Sequence, residues 1–460
     1  MAHFPLAMDN NLLLQTLVTQ HWLEAEDDKE MFDSWVRLAA AVLVIGSNED
    51  HAWAVENRRQ RRQYLRRAVL LPDPRINTPW TRLYLSHDDP AFITTMGINF
   101  PTFQAILAAG FGHLWYTRSI THPDTDTKGK PRAGGRSLNA EGGLGLVLHW
   151  LSSTMRQVSL QQIFALVPST VSRYLRFALP ILLEVLKNMP SATIAWPHGH
   201  ESLKLSGYVS IRHPLLDGVF SSMDGLNLPC QVSSDIEMEN ATYNGWLHSH
   251  FVSSVIVFSS KGQHPIGNVC WVNTYSSHIG EIIACHINCP GSWHNSRVAQ
   301  GIYEKLDKET PDGFCLVADS AFPRGHDQVA GKILIPLKAG QTLPLDSREQ
   351  EHTIQLSQSI LSYHQTAEWG MRELQGSFGR LWIPLEAENL DQWADLIETC
   401  FRLHNLRTRL VDINHIKNVY VPIWRSGSGE RVWEGFEHIL FSDQRKHDRV
   451  SRFHVKEEWY

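Results

Sequence analysis

The sequence predicts an α/β domain with a mixed sheet flanked by helices, preceded by a mainly helical region. Three observations point there. Up to about residue 205, apolar side chains recur at spacings of three and four, the helical period. Short runs rich in Val, Ile and Phe follow, bounded by turn residues. From Gln350 the helical spacing returns. Strands first and helices after them read as a layered α/β domain.

Residues 1–117 form the first helical region. Leu12 to Leu23 and Met31 to Ile45 both carry apolar stripes. An arginine cluster follows, Arg58, Arg59, Arg61, Arg62, Arg66 and Arg67. It fits a solvated helix face, a nuclear-import signal or a phosphate-contacting patch, and nothing local separates these. Residues 118–137 are rich in Thr, Asp, Lys, Gly and Pro and read as a linker.

Residues 138–204 read as a helix-turn-helix-like segment. Leu144 to Leu151 is one apolar helix, and Ser159 can cap a short second helix, Leu160 to Ala165. The turn Leu166-Val167-Pro168 follows, and Ser169 can cap a third helix from Thr170. Ser172, Arg173 and Arg176 lie off that helix's apolar face and are candidates for DNA contact. A plain helical hairpin fits the same pattern. Pro180 is expected to kink the third helix.

Residues 205–424 carry the α/β texture. Gly218 to Asp224 reads as a strand ending in an acid, and His250 to Ser259 as a second strand. A turn at Lys261-Gly262-Gln263 leads to a third, Ile266 to Val272. Phe314 to Ala318 is a short buried strand delivering Asp319, and Ile333 to Pro336 another. Helices are expected through Leu374 and from Leu390 to Leu406. Residues 425–460 form a polar tail, expected to be partly disordered.

The bulk numbers set the class. With 460 residues, 43% hydrophobic and 20% charged, the chain is long enough for two or three globular domains. A formal charge of −6 excludes a uniformly basic surface, so nucleic-acid contact would need local clustering of Lys and Arg. Six scattered Cys form no disulfide framework. The amino terminus lacks a signal-peptide pattern, and the longest apolar run, Leu38 to Ile45, is too short for a bilayer. A soluble protein in a reducing intracellular compartment is expected.

Three acids stand in informative settings: Asp224 in Ser-Ser-Met-Asp-Gly, Asp319 in Val-Ala-Asp-Ser-Ala-Phe-Pro, and Glu368 in Ala-Glu-Trp-Gly-Met-Arg. A single Asp at a strand end is more often a turn former than a ligand. Three converging carboxylates are different, because they stay charged together only if a cation neutralises them. Hard oxygen donors suit Mg²⁺ or Mn²⁺, and paired ions of this kind cut phosphodiesters. Glu373 competes with Glu368 for the third place. His278, Cys285, His286, Cys289 and His294 invite zinc, yet their spacing matches no regular finger. His248, His250 and His294 either line a pocket or satisfy local hydrogen bonds. No Gly-x-Ser-x-Gly elbow is present, which argues against an α/β hydrolase.

Further pieces surround the acids in order. They are Met223-Asp224-Gly225 with Pro229 behind it; Tyr243-Asn244 and Trp246-Leu247-His248-Ser249; and Cys289-Pro290-Gly291-Ser292-Trp293-His294-Asn295-Ser296. Asp319-Ser320-Ala321-Phe322, His364-Gln365-Thr366-Ala367-Glu368 and Leu403-His404-Asn405 complete the series. In this the chain resembles the DDE-type transposases of the PIF/Harbinger kind, their fungal members included, and nucleases domesticated from them. The resemblance covers roughly residues 220–410. It implies an RNase H-like core, with Asp224, Asp319 and Glu368 as the catalytic and metal-binding acids of a nuclear DNA endonuclease. In such sites Asp224 would bridge two Mg²⁺ and the other acids would hold one each. The family's Asp after the histidine is Asn295 here, and its Arg four positions before the glutamate is His364. Both departures leave room for a catalytically decayed, domesticated copy that binds DNA or protein. The implied partner is DNA; a separate DNA-binding partner protein and oligomerisation stay open, and no membrane is implied.

Overall fold

The computed structural model describes residues 65–120, 131–260, 280–322, 329, 331–338, 341–386 and 390–411. The chain divides into two compact units, Met1–Leu65 and Arg66–Tyr460, and apart from Leu65 the described residues belong to the second. The stripes Leu12 to Leu23 and Met31 to Ile45, the arginines Arg58, Arg59, Arg61 and Arg62, the turn and strand at 261–272, and the tail 425–460 lie outside them.

Short helices open the second unit: α1 Pro79–Ser86, α2 Asp89–Met96, α3 Phe100–Ile106 and α4 Gly112–Thr117. Thr78, Asp88 and Asn99 cap the first three, each side chain accepting a backbone N–H of the first turn. Helix α5, Ala140–Ser152, is capped by Asn139 and is apolar on nearly every side. Its glycines seat tryptophan rings. A Cβ on Gly145 would come within 2.1 Å of the Trp80 ring, and one on Gly143 within 2.5 Å of Trp115.

Helices α6, Gln157–Phe164, and α7, Pro168–Asn188, follow. The caps differ from expectation. Helix α6 starts before Ser159, with Arg156 at its cap position, and Pro168 is the first residue of α7 rather than part of the turn. A proline is at home there because its missing N–H would be unpaired anyway. Pro180 does not end α7, which runs on to Asn188. Ten side chains of α7 are buried, Val171 to Leu186, so it is a core element with a narrow exposed strip. Ser172 and Arg173 are half-buried and Arg176 exposed on that strip, and Ser172 Oγ donates to Gln157 Oε1 at 3.3 Å.

Helix α8, His200–Arg212, leads into the sheet. Strand β1, Val219–Pro229, is central. Helix α9, Ile236–Thr242, and the short β2, Tyr243–Asn244, precede β3, Ser249–Ser259. Strand β4, Ile282–Pro290, was not foreseen, because its Ala-Cys-His-Ile-Asn-Cys stretch lacks a clean alternation. Helices α10, Asn295–Val298, and α11, Gln300–Lys308, connect to β5, Cys315–Ala318, and β6, Ile333–Leu334. Helices α12, Ser347–Ser377, and α13, Leu390–Leu410, complete the described chain.

The sheet runs β2-β3-β1-β5-β6, with β4 also paired to β3. Strand β3 runs antiparallel to both β1 and β4, whereas β5 and β6 run parallel to β1. β1 and β3 stay paired to Pro229, past the point where β5 stops. Asp224 therefore lies in mid-strand rather than at a strand end.

Two helices lock onto this sheet. Asn405 of α13 treats Ile282 as a strand neighbour would: its Oδ1 accepts the Ile282 N–H and its Nδ2 donates to the Ile282 carbonyl, both at 2.8 Å. His404 Nε2 donates to Gly280 O at 3.0 Å. Helix α12 lies across β1 and β3, with Gly370 against Phe258, where a Cβ would come within 2.7 Å of the ring. Gly370→Ala should therefore lift α12 from the sheet and lower stability by about 1–3 kcal/mol, read by urea unfolding of the purified chain.

Candidate active site

The sheet register brings two acids side by side. Met223 pairs with Ala318 in the last parallel rung of β1 and β5, so Asp224 and Asp319 are the next residues on neighbouring chains. Adjacent strands lie about 4.8 Å apart. Each carboxylate is held by a nearby backbone N–H. Asp224 Oδ1 accepts from Gly225 at 2.7 Å, and Asp319 Oδ1 accepts from Ala321 at 2.8 Å in the turn that ends β5.

Helix α12 is pinned to the same stretch of β1. His364 Nε2 donates to Met223 O at 3.3 Å, and Thr366 Oγ1 meets Ser222 Oγ at 3.1 Å. Glu368 stands one helical turn beyond His364 and so shares its face. Its side chain is exposed. Sequence reasoning missed Ser222 and Thr366 as anchors; the Thr two residues before Glu368 was the available signal.

The charges act on one another. Burial pushes the Asp224 carboxyl up from its ordinary 3.8 to about 6. Nearby His364 and the Gly225 N–H work against that rise, while the Asp319 and Glu368 carboxylates add to it. Glu373 points elsewhere: its Oε2 lies 3.7 Å from His404 Nδ1, beside the start of β4. Five residues on a helix turn by about 140° beyond a full circle, so the two glutamates face different partners.

The remaining candidates separate. Asn295 is close: a Cβ on Gly225 would come within 2.8 Å of its Nδ2, so the neutral amide lies against the backbone next to Asp224. Asn244 braces that loop, its Nδ2 donating to Gly291 O at 2.8 Å. His294 caps α10, with Nδ1 accepting from Ser296 N at 3.3 Å and facing Ser296 Oγ at 2.9 Å. His364 is buried and its Nε2 is committed to β1, so it is no phosphate clamp. His248 lies in the β2–β3 connection, past the rung pairing Pro229 with Phe251, at φ 51°. Pro229 lies five strand steps from Asp224, roughly 17 Å, so the fold keeps His248 apart from the acids. His250 Nδ1 meets Thr242 Oγ1 at 3.0 Å, a local bond. Ser172, Arg173 and Arg176 belong to α7; together with Arg118, Ser169 and Phe177 they line a groove beside that helix.

Among the described residues, no three His, Cys, Asp or Glu side chains stand at metal-ligand spacing. The acids lie within reach of each other's charge without converging on one point. The zinc reading finds no support among the described residues either. His278 lies outside the described residues. Among those described, no single helix is long and apolar enough to cross a membrane.

Comparison with known families places part of this architecture. Residues 268–405 match the family model described as DDE superfamily endonuclease. The match holds Asp319, Glu368 and Asn405, and begins downstream of β1 and Asp224. The DDE endonuclease domain is RNase H-like, and the mixed sheet with flanking helices is the corresponding α/β architecture. Neither the curated proteins nor the solved structures gave a match.

The raised Asp224 carboxyl has a consequence for stability. Its folded pKa lies above the unfolded value, so the folded chain keeps a proton that the unfolded chain gives up. Stability from this group is fully present below about pH 4 and falls as pH rises through 6, by about 3 kcal/mol at one pKa unit per 1.36 kcal/mol. In metal-free buffer, Asp224→Asn should unfold at a higher temperature than the parent chain at pH 7, and the difference should vanish near pH 4. A parent and variant that differ equally at both pH values would refute the shift.

Proposed function

We propose that this chain is a metal-dependent DNA endonuclease of the transposase type, akin to the PIF/Harbinger kind, and that Asp224, Asp319 and Glu368 carry its chemistry. The observation behind this reading is the β1–β5 register. It sets Asp224 beside Asp319, while Thr366 and His364 pin α12 so that the Glu368 charge reaches Asp224. The family match over residues 268–405 supports nuclease chemistry independently.

The donor set suits a hard divalent cation. A carboxyl driven up by burial and two neighbouring carboxylates marks a site short of positive charge. Asp224, Asp319 and Glu368 would hold Mg²⁺ or Mn²⁺. When bound, such ions supply Lewis acidity and lower the pKa of a coordinated water. The chain's own contribution is positioning. The Gly225 N–H orients Asp224, the Ala321 N–H orients Asp319, and the His364 and Thr366 contacts set the height of Glu368 over the sheet. DNA is the substrate of this reading. The α7 strip with Ser172, Arg173 and Arg176, together with the Arg58 to Arg62 cluster, would meet its phosphates. Action on genomic DNA would place the protein in the nucleus. A separate DNA-binding partner and self-association are compatible with the narrow exposed face of α7.

A second reading is favoured by two observations. Asn295 leaves an uncharged amide against Gly225, and no three described ligands stand at metal spacing. A chain that kept the fold and lost the chemistry would bind DNA or protein without cutting.

Nicking of supercoiled plasmid separates the two. With Mg²⁺ or Mn²⁺ the parent chain should open the plasmid, and Asp224→Asn and Glu368→Gln should each lose roughly 100-fold or more in rate. Glu373→Gln should keep activity within a few fold. Nicking that persists in Asp224→Asn removes the site assignment, and DNA binding without metal-dependent nicking supports the second reading.

A further inference from the structure

Tyr303 sits on α11. It is 2% exposed and packs in one cluster with Met223, Leu316, Ala318 and Phe322. Ala318 and Phe322 bracket Asp319 in sequence, so both sides of the turn carrying that acid join the buried cluster that holds the tyrosine. The Tyr303 hydroxyl is sealed from solvent and has no hydrogen-bond partner among the described residues. Packing alone does not account for it, because a phenylalanine would fill the same space without leaving a polar atom unpaired. The phenol is pushed up to about 12, first by burial and then by the Asp319 charge, so it remains a neutral donor. Asp319 is meanwhile oriented by one described bond, from Ala321 N–H to Oδ1.

We propose that Tyr303 is a positioning residue for Asp319: its hydroxyl donates to the Asp319 carboxylate as that carboxylate turns toward the cation shared with Asp224 and Glu368. This rests on the metal-dependent reading above. The acids do not converge as they stand, so at least one carboxylate must turn to bind. A buried donor near Asp319 gives that turn a preferred direction. Groups that orient a ligand in this way commonly govern metal affinity.

Mn²⁺ binding to the full chain, followed by calorimetric titration, tests the proposal without relying on cleavage. Tyr303→Phe should weaken Mn²⁺ binding by about tenfold, while its unfolding temperature in EDTA stays equal to the parent's or rises. Leu306→Val, on the same helix and in the same buried cluster, disturbs the packing without touching the hydroxyl or the turn that carries Asp319. It should lower the unfolding temperature and leave Mn²⁺ affinity within about twofold of the parent. Equal Mn²⁺ affinity in Tyr303→Phe and parent overturns the proposal, as does a loss in Leu306→Val as large as that in Tyr303→Phe. A parent chain that binds no Mn²⁺, or binds it equally well as Asp319→Asn, overturns the metal-dependent reading and this proposal with it.

Discussion

Like charges held close in a partly buried place are costly, and this sheet holds them close. The parallel rung that joins Met223 to Ala318 makes Asp224 and Asp319 neighbours whether or not a counter-charge is present. Everything near them fits that constraint. The carboxylates take backbone N–H donors, the buried member retains its proton to a higher pH, and a glycine follows Asp224 so that the Asn295 amide can approach. The rise of the Asp224 carboxyl comes first from burial, and the neighbouring carboxylates add to it.

The helices supply the precision. α12 makes few polar contacts with the sheet, yet Thr366 to Ser222 and His364 to Met223 fall on consecutive residues of β1. That grip fixes both the height and the rotation of the helix, and with them the direction of Glu368. Gly370 lets the same helix settle onto Phe258 one turn farther along. The fine placement of an exposed side chain therefore depends on contacts made by neighbouring residues of its own helix.

Much of this was legible from the sequence. Hydrophobic period located β1, β3, β5, α12 and α13 to within a few residues, because their apolar faces pack against the sheet. The three acids were legible from short motifs around them. What escaped has physical causes. β4 is carried by tertiary pairing with β3 rather than by its own alternation. The extent of β1 past Asp224 depends on that same partner. Ser159 and Ser169 looked like helix caps, but the helices began at positions set by packing and by Pro168. His364 stood where the resembled family has an arginine, and its burial against β1, with Nε2 donating to a backbone carbonyl, was not visible in the sequence. The choice between Glu368 and Glu373 is a matter of helix rotation, which becomes visible once His404 is seen opposite Glu373.

The tripeptide Leu403-His404-Asn405 carries a separate lesson. Leu403 is buried, His404 grips Gly280, and Asn405 stands in for a missing strand along Ile282. All three serve architecture, and none meets the acids of the candidate centre. A genome survey that took this signature as a marker of cutting ability would score an inert descendant and a working enzyme alike. Its persistence would certify that the polypeptide still folds, and only the carboxylates themselves could report whether the blade is still sharp.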